Sequence, residues 1–525
     1  MSLPSDAPLD VAIVGGGVSG TYSAWRLIEH NPNLRIALFE GSDRVGGRLL
    51  SVRPPGMASL TAELGGMFIP SLHTLASSLA EHLGLQLDVM PHGGLNRAYL
   101  RGMPLTAAAM RDPQQVPYRL VGGEQGRLPD ELPAYALEQL IPALQSASGS
   151  ERYSLLEDAR VAGRPLRHWG FWNLLVQALS DDGYNFAREG TGDDYLVANW
   201  NAADIARQYY QLAGQFDLLH VREGYDAIPR TLAARFAERG GSIALRHRLI
   251  RFDRAVLPDG TLGVRLEFDC DSSGWGAAPA RAPGVVYARR LILAMPRRSL
   301  ELLEPSGALL RPDNQQIRDL IGAVTPLPMF KLFLCYERAW WRDLGITGGF
   351  SVTDMPLRAC LYWGEDPESH NALLLASLSD MLAMGFWEGL RDARHQPLFS
   401  PAGEPPRWSD YSAPPTGAMV AEAQRQLALL HGQALPEPYA AVYRDWGEDP
   451  FGGAGNFWNV HVDSRRYAQR MLRPDPELPV FICGEAYSRT QGWVEGALET
   501  AEQMLRQQFG LDRPDWQIQE KELGH

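Results

Sequence analysis

Gly15-Gly16-Gly17-Val18-Ser19-Gly20 fits G-x-G-x-x-G, a spacing whose chemistry is the cradling of a pyrophosphate. Gly15 permits a tight turn, Gly17 lets backbone approach the phosphates, and Gly20 lets a following helix pack closely on its strand. Val18 and Ser19 lie in the turn ahead of that helix, whose free N–H groups and positive dipole end face an anion. Glu40, twenty residues after Gly20, is spaced to accept hydrogen bonds from a ribose. The flanking elements agree. Asp10–Val14 is an apolar run typical of a strand buried on both faces. Thr21–Glu29 carries Ala24, Leu27 and Ile28 on one side of a predicted helix, and Leu34–Phe39 reads as a second strand ending at Glu40. Strand, glycines, helix, strand and acid in this order are far more specific than the glycines alone.

Further motifs separate the possible nucleotides. Ser42-Asp43-Arg44-Val45-Gly46-Gly47-Arg48 follows Gly41 directly, and Glu63-Leu64-Gly65-Gly66-Met67-Phe68 comes soon after. Far along the chain, a short apolar strand at Pro479–Cys483 leads into Gly484-Glu485. Gln491-Gly492-Trp493-Val494-Glu495-Gly496-Ala497 follows, with a predicted helix over Val494–Leu505. With these residues the sequence resembles the flavin-containing amine oxidase superfamily, and its L-amino acid oxidase branch most closely. The resemblance implies FAD as the cofactor, held without a covalent bond. It implies that Gly41, Gly47 and Arg48 meet the ribose and pyrophosphate, with Arg48 as a guanidinium fork. Gly65, Gly66, Met67 and Phe68 then pass beside the flavin ring, and the backbone of Leu249 meets the adenine. Gly484 and Glu485 meet the ribitol and pyrophosphate. Gly492, Trp493 and Val494 bring a helix amino terminus to the flavin N1–C2=O edge, where negative charge gathers on reduction.

Lysine occurs at only two positions, Lys331 and Lys521. Lys331 lies inside the apolar run Met329–Leu334, where an ammonium is expensive unless solvated or paired, although strand alternation would also allow an exposed face. In the family, a lysine here holds a water against flavin N5. The resemblance also places Trp493 as one wall of an aromatic substrate cage. Tyr362, next to Trp363, is nominated as the opposite wall, and Trp458 as a further one. The expected catalytic set is therefore Lys331, Trp493 and Tyr362, with Phe68, Tyr362, Trp458 and Trp493 around substrate. The implied reaction is transfer of a hydride from the α-carbon of a neutral amine or L-amino acid to the flavin. Imine hydrolysis and reduction of O₂ to H₂O₂ follow. One departure bears on substrate. The L-amino acid oxidases carry arginine directly after the Gly-x-Met segment, where it forks onto the α-carboxylate, and this chain has Phe68. Either another arginine substitutes, or the substrate lacks a free carboxylate, or amino-acid activity is reduced. A monoamine oxidase-type enzyme and an amino-acid monooxygenase that decarboxylates are the alternatives within the fold.

The expected fold is α/β, a Rossmann-type FAD-binding domain with an interleaved α+β substrate-binding domain and a helical insertion. The motifs assign 1–75, 216–297 and 445–525 to the first, 76–128 and 298–444 to the second, and 129–215 to the insertion. Ser272–Pro283 reads as a surface loop, and the tail from Leu511 as polar. A net charge of -13 argues against a nucleic-acid partner. Four cysteines without a C-x-x-C pair suggest isolated thiols, and no metal site is expected. Met1–Asp10 lacks a signal-peptide pattern and no long apolar run appears, so a cytoplasmic location without membrane contact is the expectation. The expected partners are a small amine or amino acid and O₂, and a homodimer is compatible with the family.

Overall fold

Apolar residues dominate Leu9–Val14 and Ile36–Phe39 because these strands are buried on both faces. The computed structural model describes residues 7–90, 94–212, 216–270, 284–391 and 413–517. The expected Ser272–Pro283 loop and the end of the polar tail lie outside the described residues. Leu9–Val14 pairs in parallel with Ile36–Phe39 on one side and with Gly284–Leu293 on the other. Val480–Ile482 joins Gly284–Leu293 in parallel, and Ser242–Ala244 extends the far edge beside Ile36–Phe39. Leu262–Asp269 and Arg248–Val256 continue the sheet as antiparallel strands. Its strands all come from 1–75, 216–297 and 445–525.

Alternation sends Val11 and Ile13 to one face of this sheet, under the helices Val18–His30, Ala227–Glu238 and Val494–Phe509. Ala12 and Val14 face the opposite core with Phe39, Leu293 and Val480. The register aligns Val14 with both Phe39 and Leu293, and Leu293 with Ile482. The parallel strands therefore end together, and Gly15, Glu40, Ala294 and Gly484 emerge at one edge. Ligands of open parallel sheets bind at such an edge.

A second sheet runs in the order Ala440–Asp445, Met329–Tyr336, Ala372–Asp380, Ala359–Glu365, Phe350–Thr353, Leu95–Leu100 and Met103–Thr106. One face carries Phe330, Leu332, Tyr336, Cys360 and Tyr362 and is packed by the helix Gly417–His431. The other carries Phe333, Cys335 and Trp363 and shares its core with the insertion. That insertion contains the helices Leu132–Leu140, Gly149–Asp158, Phe171–Leu175, Asp181–Thr191 and Ala202–Leu212. Ser180 caps the fourth by accepting from the Gly183 amide at 3.0 Å, and Glu124 accepts in turn from Ser180. Among the described residues, no helix is long and apolar enough to cross a membrane.

The glycine turn is held by space as well as by conformation. Gly15 has a φ of +112°, outside the range comfortable for other residues. A Cβ on Gly20 would lie 1.9 Å from the Gly15 carbonyl oxygen, so helix and strand touch backbone to backbone. Gly20→Ala is expected to lower stability by about 1–3 kcal/mol through overpacking, and to lower the flavin bound per chain. Thermal unfolding and visible absorbance on the purified variant check this.

Candidate active site

A cavity of about 420 Å³ opens along the carboxyl ends of the parallel strands and continues between the two sheets. Its walls near the turn are Gly15, Gly17, Val18, Ser19, Glu40, Gly41, Gly47 and Arg48, with Leu249 towards the far end. Gly65, Gly66, Met67 and Phe68 line the middle, as do Gly484, Glu485, Gly492, Trp493 and Val494 from the carboxy-terminal return. Segments more than 400 residues apart in sequence thus share one space.

Two helices begin on this cavity. Gly17 precedes Val18–His30 and Trp493 precedes Val494–Phe509, and neither helix has a side-chain cap. Their first N–H groups therefore need acceptors from elsewhere. The one acid in either first turn, Glu495, points away and accepts from the amides of Leu75 and Ala76 at 3.0 and 2.8 Å. A Cβ on Gly17 would meet only the Gly47 Cα, at 3.9 Å, so the room above the turn suits phosphate groups. Glu40 is oriented by the amides of Gly16 and Ser42, at 2.6 and 2.8 Å. Arg48 donates to Glu485 Oε2 at 2.6 Å and to the Ala454 carbonyl at 3.1 Å. Glu485 also accepts from the Gly492 amide at 2.6 Å and twice from Asn456, so it ties the return segment to the first turn. The residues present fit a dinucleotide with its diphosphate at the glycine turn and an electron-accepting ring at the second helix.

Lys331 projects from its strand on the cavity side, opposite Phe330 and Leu332. Its Nζ donates to the carbonyls of Glu63, at 3.1 Å, and of Gly65. Trp446 Nε1 donates to the Leu64 carbonyl between them at 2.7 Å. The backbone that passes through the cavity at Gly65–Gly66 is thereby pinned from one side. Two of the three ammonium protons are used, which leaves one donor for a group in the cavity.

Tyr362 and Trp458, expected as walls around substrate, do not line the main cavity. Tyr362 lies on the opposite face of its strand, where its hydroxyl meets Ser351 Oγ and His431 Nε2, both at 2.7 Å. Trp363, one residue on, takes the inner face. It stacks on Phe68 with ring centroids 5.4 Å apart and donates to the Thr61 carbonyl. Trp458 is buried and donates to the Ser488 carbonyl at 2.9 Å, lining a small neighbouring pocket that shares Gln208, Phe457 and Trp493 with the main cavity. Alternation in Gly455–Trp458 presents Phe457 to the main cavity instead. Gly20 packs helix against strand and does not line the cavity.

The insertion contributes side chains that no motif pointed to: Asp193, Tyr195 and Gln208. Tyr195 packs on Phe457 at 5.3 Å, and Phe457 is backed by Trp200 at 5.3 Å. The available signal was Thr191-Gly192-Asp193-Asp194-Tyr195, a helix-stopping glycine followed by two acids and an aromatic. Glycine at 192 takes a left-handed φ of +85° as the helix ends.

The sequence pattern of the family described as flavin containing amine oxidoreductase matches residues 18–504. The chain belongs to this family. Among its relatives, Aplysianin-A of Aplysia kurodai is 28% identical over 523 residues, spanning 96% of this chain and 91% of its own. L-amino-acid oxidase of Mus musculus is 23% identical over 527 residues, spanning 98% and 73% respectively. The solved structure of putrescine oxidase bound to putrescine shares the fold, with a TM-score of 0.69 and 18% identity over 96% of this chain and 99% of that one. FAD is the flavin of these oxidoreductases, and the chain is an FAD-dependent amine oxidase.

In this amine oxidoreductase the buried lysine carries a charge that is costly to keep from water. Burial lowers the Lys331 pKa to about 7, opposed by the Glu63 carboxylate. Above about pH 10.5, the ordinary lysine value, the folded and unfolded chains both leave it neutral. As the pH falls towards 7 the unfolded chain takes the proton first, so folding loses stability, and below about 7 the loss is constant. Holoenzyme stability is therefore expected to rise between pH 7 and 9 relative to Lys331→Met, by at most about 1.4 kcal/mol per pH unit. Denaturant titrations at both pH values check the slope, which is the readout even where the variant is less stable at both.

Proposed function

We propose that the cavity oxidises an amine whose recognition does not depend on a guanidinium forked onto an α-carboxylate. The observation that carries this is the state of the cavity's arginines. Arg48 is paired with Glu485, Arg44 donates to the Gly47 and Leu49 carbonyls, Arg248 pairs with Asp269, and Arg444 with Asp449. All four have partners, and the Phe68 position holds an aromatic ring stacked on Trp363.

When bound, FAD supplies the two-electron acceptor for the amine α C–H and passes the electrons to O₂. The chain's residues provide position and electrostatics. Gly15, Gly17 and the Val18–His30 amino terminus would receive the diphosphate, with Arg48 held beside it by Glu485, while Glu40 would accept from the ribose and Leu249 would cover the adenine. Gly65, Gly66 and Met67 provide a flat backbone path for the ring, and the Trp493–Val494 amides stabilise negative charge at its edge. Trp493, Phe457, Tyr195 and Phe68 form the apolar walls that orient an uncharged amine and exclude bulk water. Trp493 is steadied edge-on by His73 at 5.1 Å, whose burial lowers its pKa to about 3 and keeps it neutral. Lys331 faces a water in the cavity, the water that hydrolyses the imine: its ammonium form offers that water the remaining proton and its neutral form offers a lone pair. No carboxylate base is required at the α-carbon when the amine binds neutral.

An amine and amino-acid panel with ammonia and H₂O₂ as readouts tests the reading. Phe68→Arg is expected to raise kcat/KM for free amino acids relative to the matching decarboxylated amines by about tenfold, one charge-assisted pair. The comparison is made on flavin-loaded protein, because Phe68 is buried. An unchanged ratio would place carboxylate recognition at another residue.

A further inference from the structure

Asp193 brings a carboxylate to the cavity wall from the insertion. Its neighbour Asp194 takes Arg358 at 3.0 Å, and that guanidinium is further committed to the carbonyls of Thr353 and Arg188. Asp380 accepts from the amides of Asp194 and Tyr195 at 3.1 and 3.2 Å, which anchors the loop on the second sheet. The Asp193 side chain has no hydrogen bond or ion pair among the described residues, yet it lines the cavity.

A carboxylate with aromatic neighbours is the chemistry that recognises an ammonium or guanidinium group. Tyr195 and Phe457 supply the rings. Burial pushes the Asp193 carboxyl up to about 6, with Arg358 opposing and Asp194 adding to the rise. Asp380 also lies close enough to act on it, so Asp193, Asp194 and Asp380 share the Arg358 guanidinium, and an incoming cation adds opposite charge to this group. Its position sets the spacing. Gly192 lies against Ala359, which pairs with Leu378, and Leu378 pairs with Lys331. Two strand spacings, roughly 10 Å, separate the Lys331 and Ala359 backbones, so the second charge belongs several carbons from the reacting amine.

We propose that Asp193 makes this site select amines that carry a second positive charge at the far end of the molecule. This rests on the amine-oxidising function proposed above and names its substrate class. An enzyme reduced with dithionite in the absence of O₂ binds substrate without turnover, so recognition is read apart from chemistry. Calorimetric titration of the reduced holoenzyme with 1,5-diaminopentane and with pentylamine is paired with kcat/KM for both amines in air, and L-lysine against L-norleucine serves for amino acids. The dication is expected to be favoured by about 10- to 100-fold in both readouts. That preference falls to near unity in Asp193→Asn and is kept in part by Asp193→Glu, with flavin content reporting the folding of each variant. A wild-type enzyme that treats charged and uncharged tails alike overturns the proposal and leaves the oxidase reading standing, as does an Asp193→Asn enzyme that keeps the preference. Failure to oxidise any amine or amino acid removes the function and this inference together.

Discussion

Two helices start on the same cavity with no side chain to receive their N–H groups, and much of the architecture serves to keep it so. Helix termini in proteins are normally satisfied, and a pair of uncapped ones facing a common space demands an acceptor from outside the chain. The first belongs to Val18–His30 and the second to Val494–Phe509. They meet because Gly284–Leu293 pairs with Leu9–Val14 on one edge and with Val480–Ile482 on the other. Glu495, the acid best placed to spoil the second terminus, is drawn off to the Thr74–His82 helix. Arg48 and Glu485 then lock the two ends of the chain together across the cavity.

The substrate end depends on a different kind of contact. A backbone path that lies flat through a cavity leaves carbonyls without sheet partners, and buried carbonyls require donors. Lys331 and Trp446 supply them to three successive residues, Glu63, Leu64 and Gly65. The ammonium thus has a structural task together with its place beside the reacting groups. That explains how one lysine is tolerated in a strand otherwise apolar. Across the cavity, Asp380 and Arg358 fix the insertion's loop to the second sheet, so the aromatic and acidic wall at Asp193–Tyr195 is held by one ion pair and two amide-to-carboxylate hydrogen bonds and not by loop chemistry alone.

The nucleotide end was legible in the sequence because its determinants are local. Gly15, Gly17, Gly20 and Glu40 act through turn geometry and spacing within one strand–helix–strand unit, and the motifs at Gly65–Phe68 and Gly484–Val494 extend that reading to both ends of the chain. The substrate end was less legible because strand parity decides it. A single step along Ala359–Glu365 exchanges Tyr362 for Trp363, and a single step along Gly455–Trp458 exchanges Trp458 for Phe457; an aromatic pair gives no hint of which member faces inward. Asp193 and Tyr195, signalled locally by no more than a helix-stopping glycine ahead of acids and an aromatic, were missed for another reason. Their role depends on where the insertion docks, and nothing in their own spacing encodes that.

The central claim is that one cavity joins a flavin, held by two helix starts, to a pocket for an amine. The most direct measurement is the visible absorbance of purified holoenzyme titrated with amine in the absence of O₂. The yellow flavin band is expected to bleach with one equivalent of amine per flavin and to return on admitting O₂ with release of H₂O₂. A protein that stays colourless after incubation with FAD, or a bound flavin that no amine or amino acid reduces, would contradict the account.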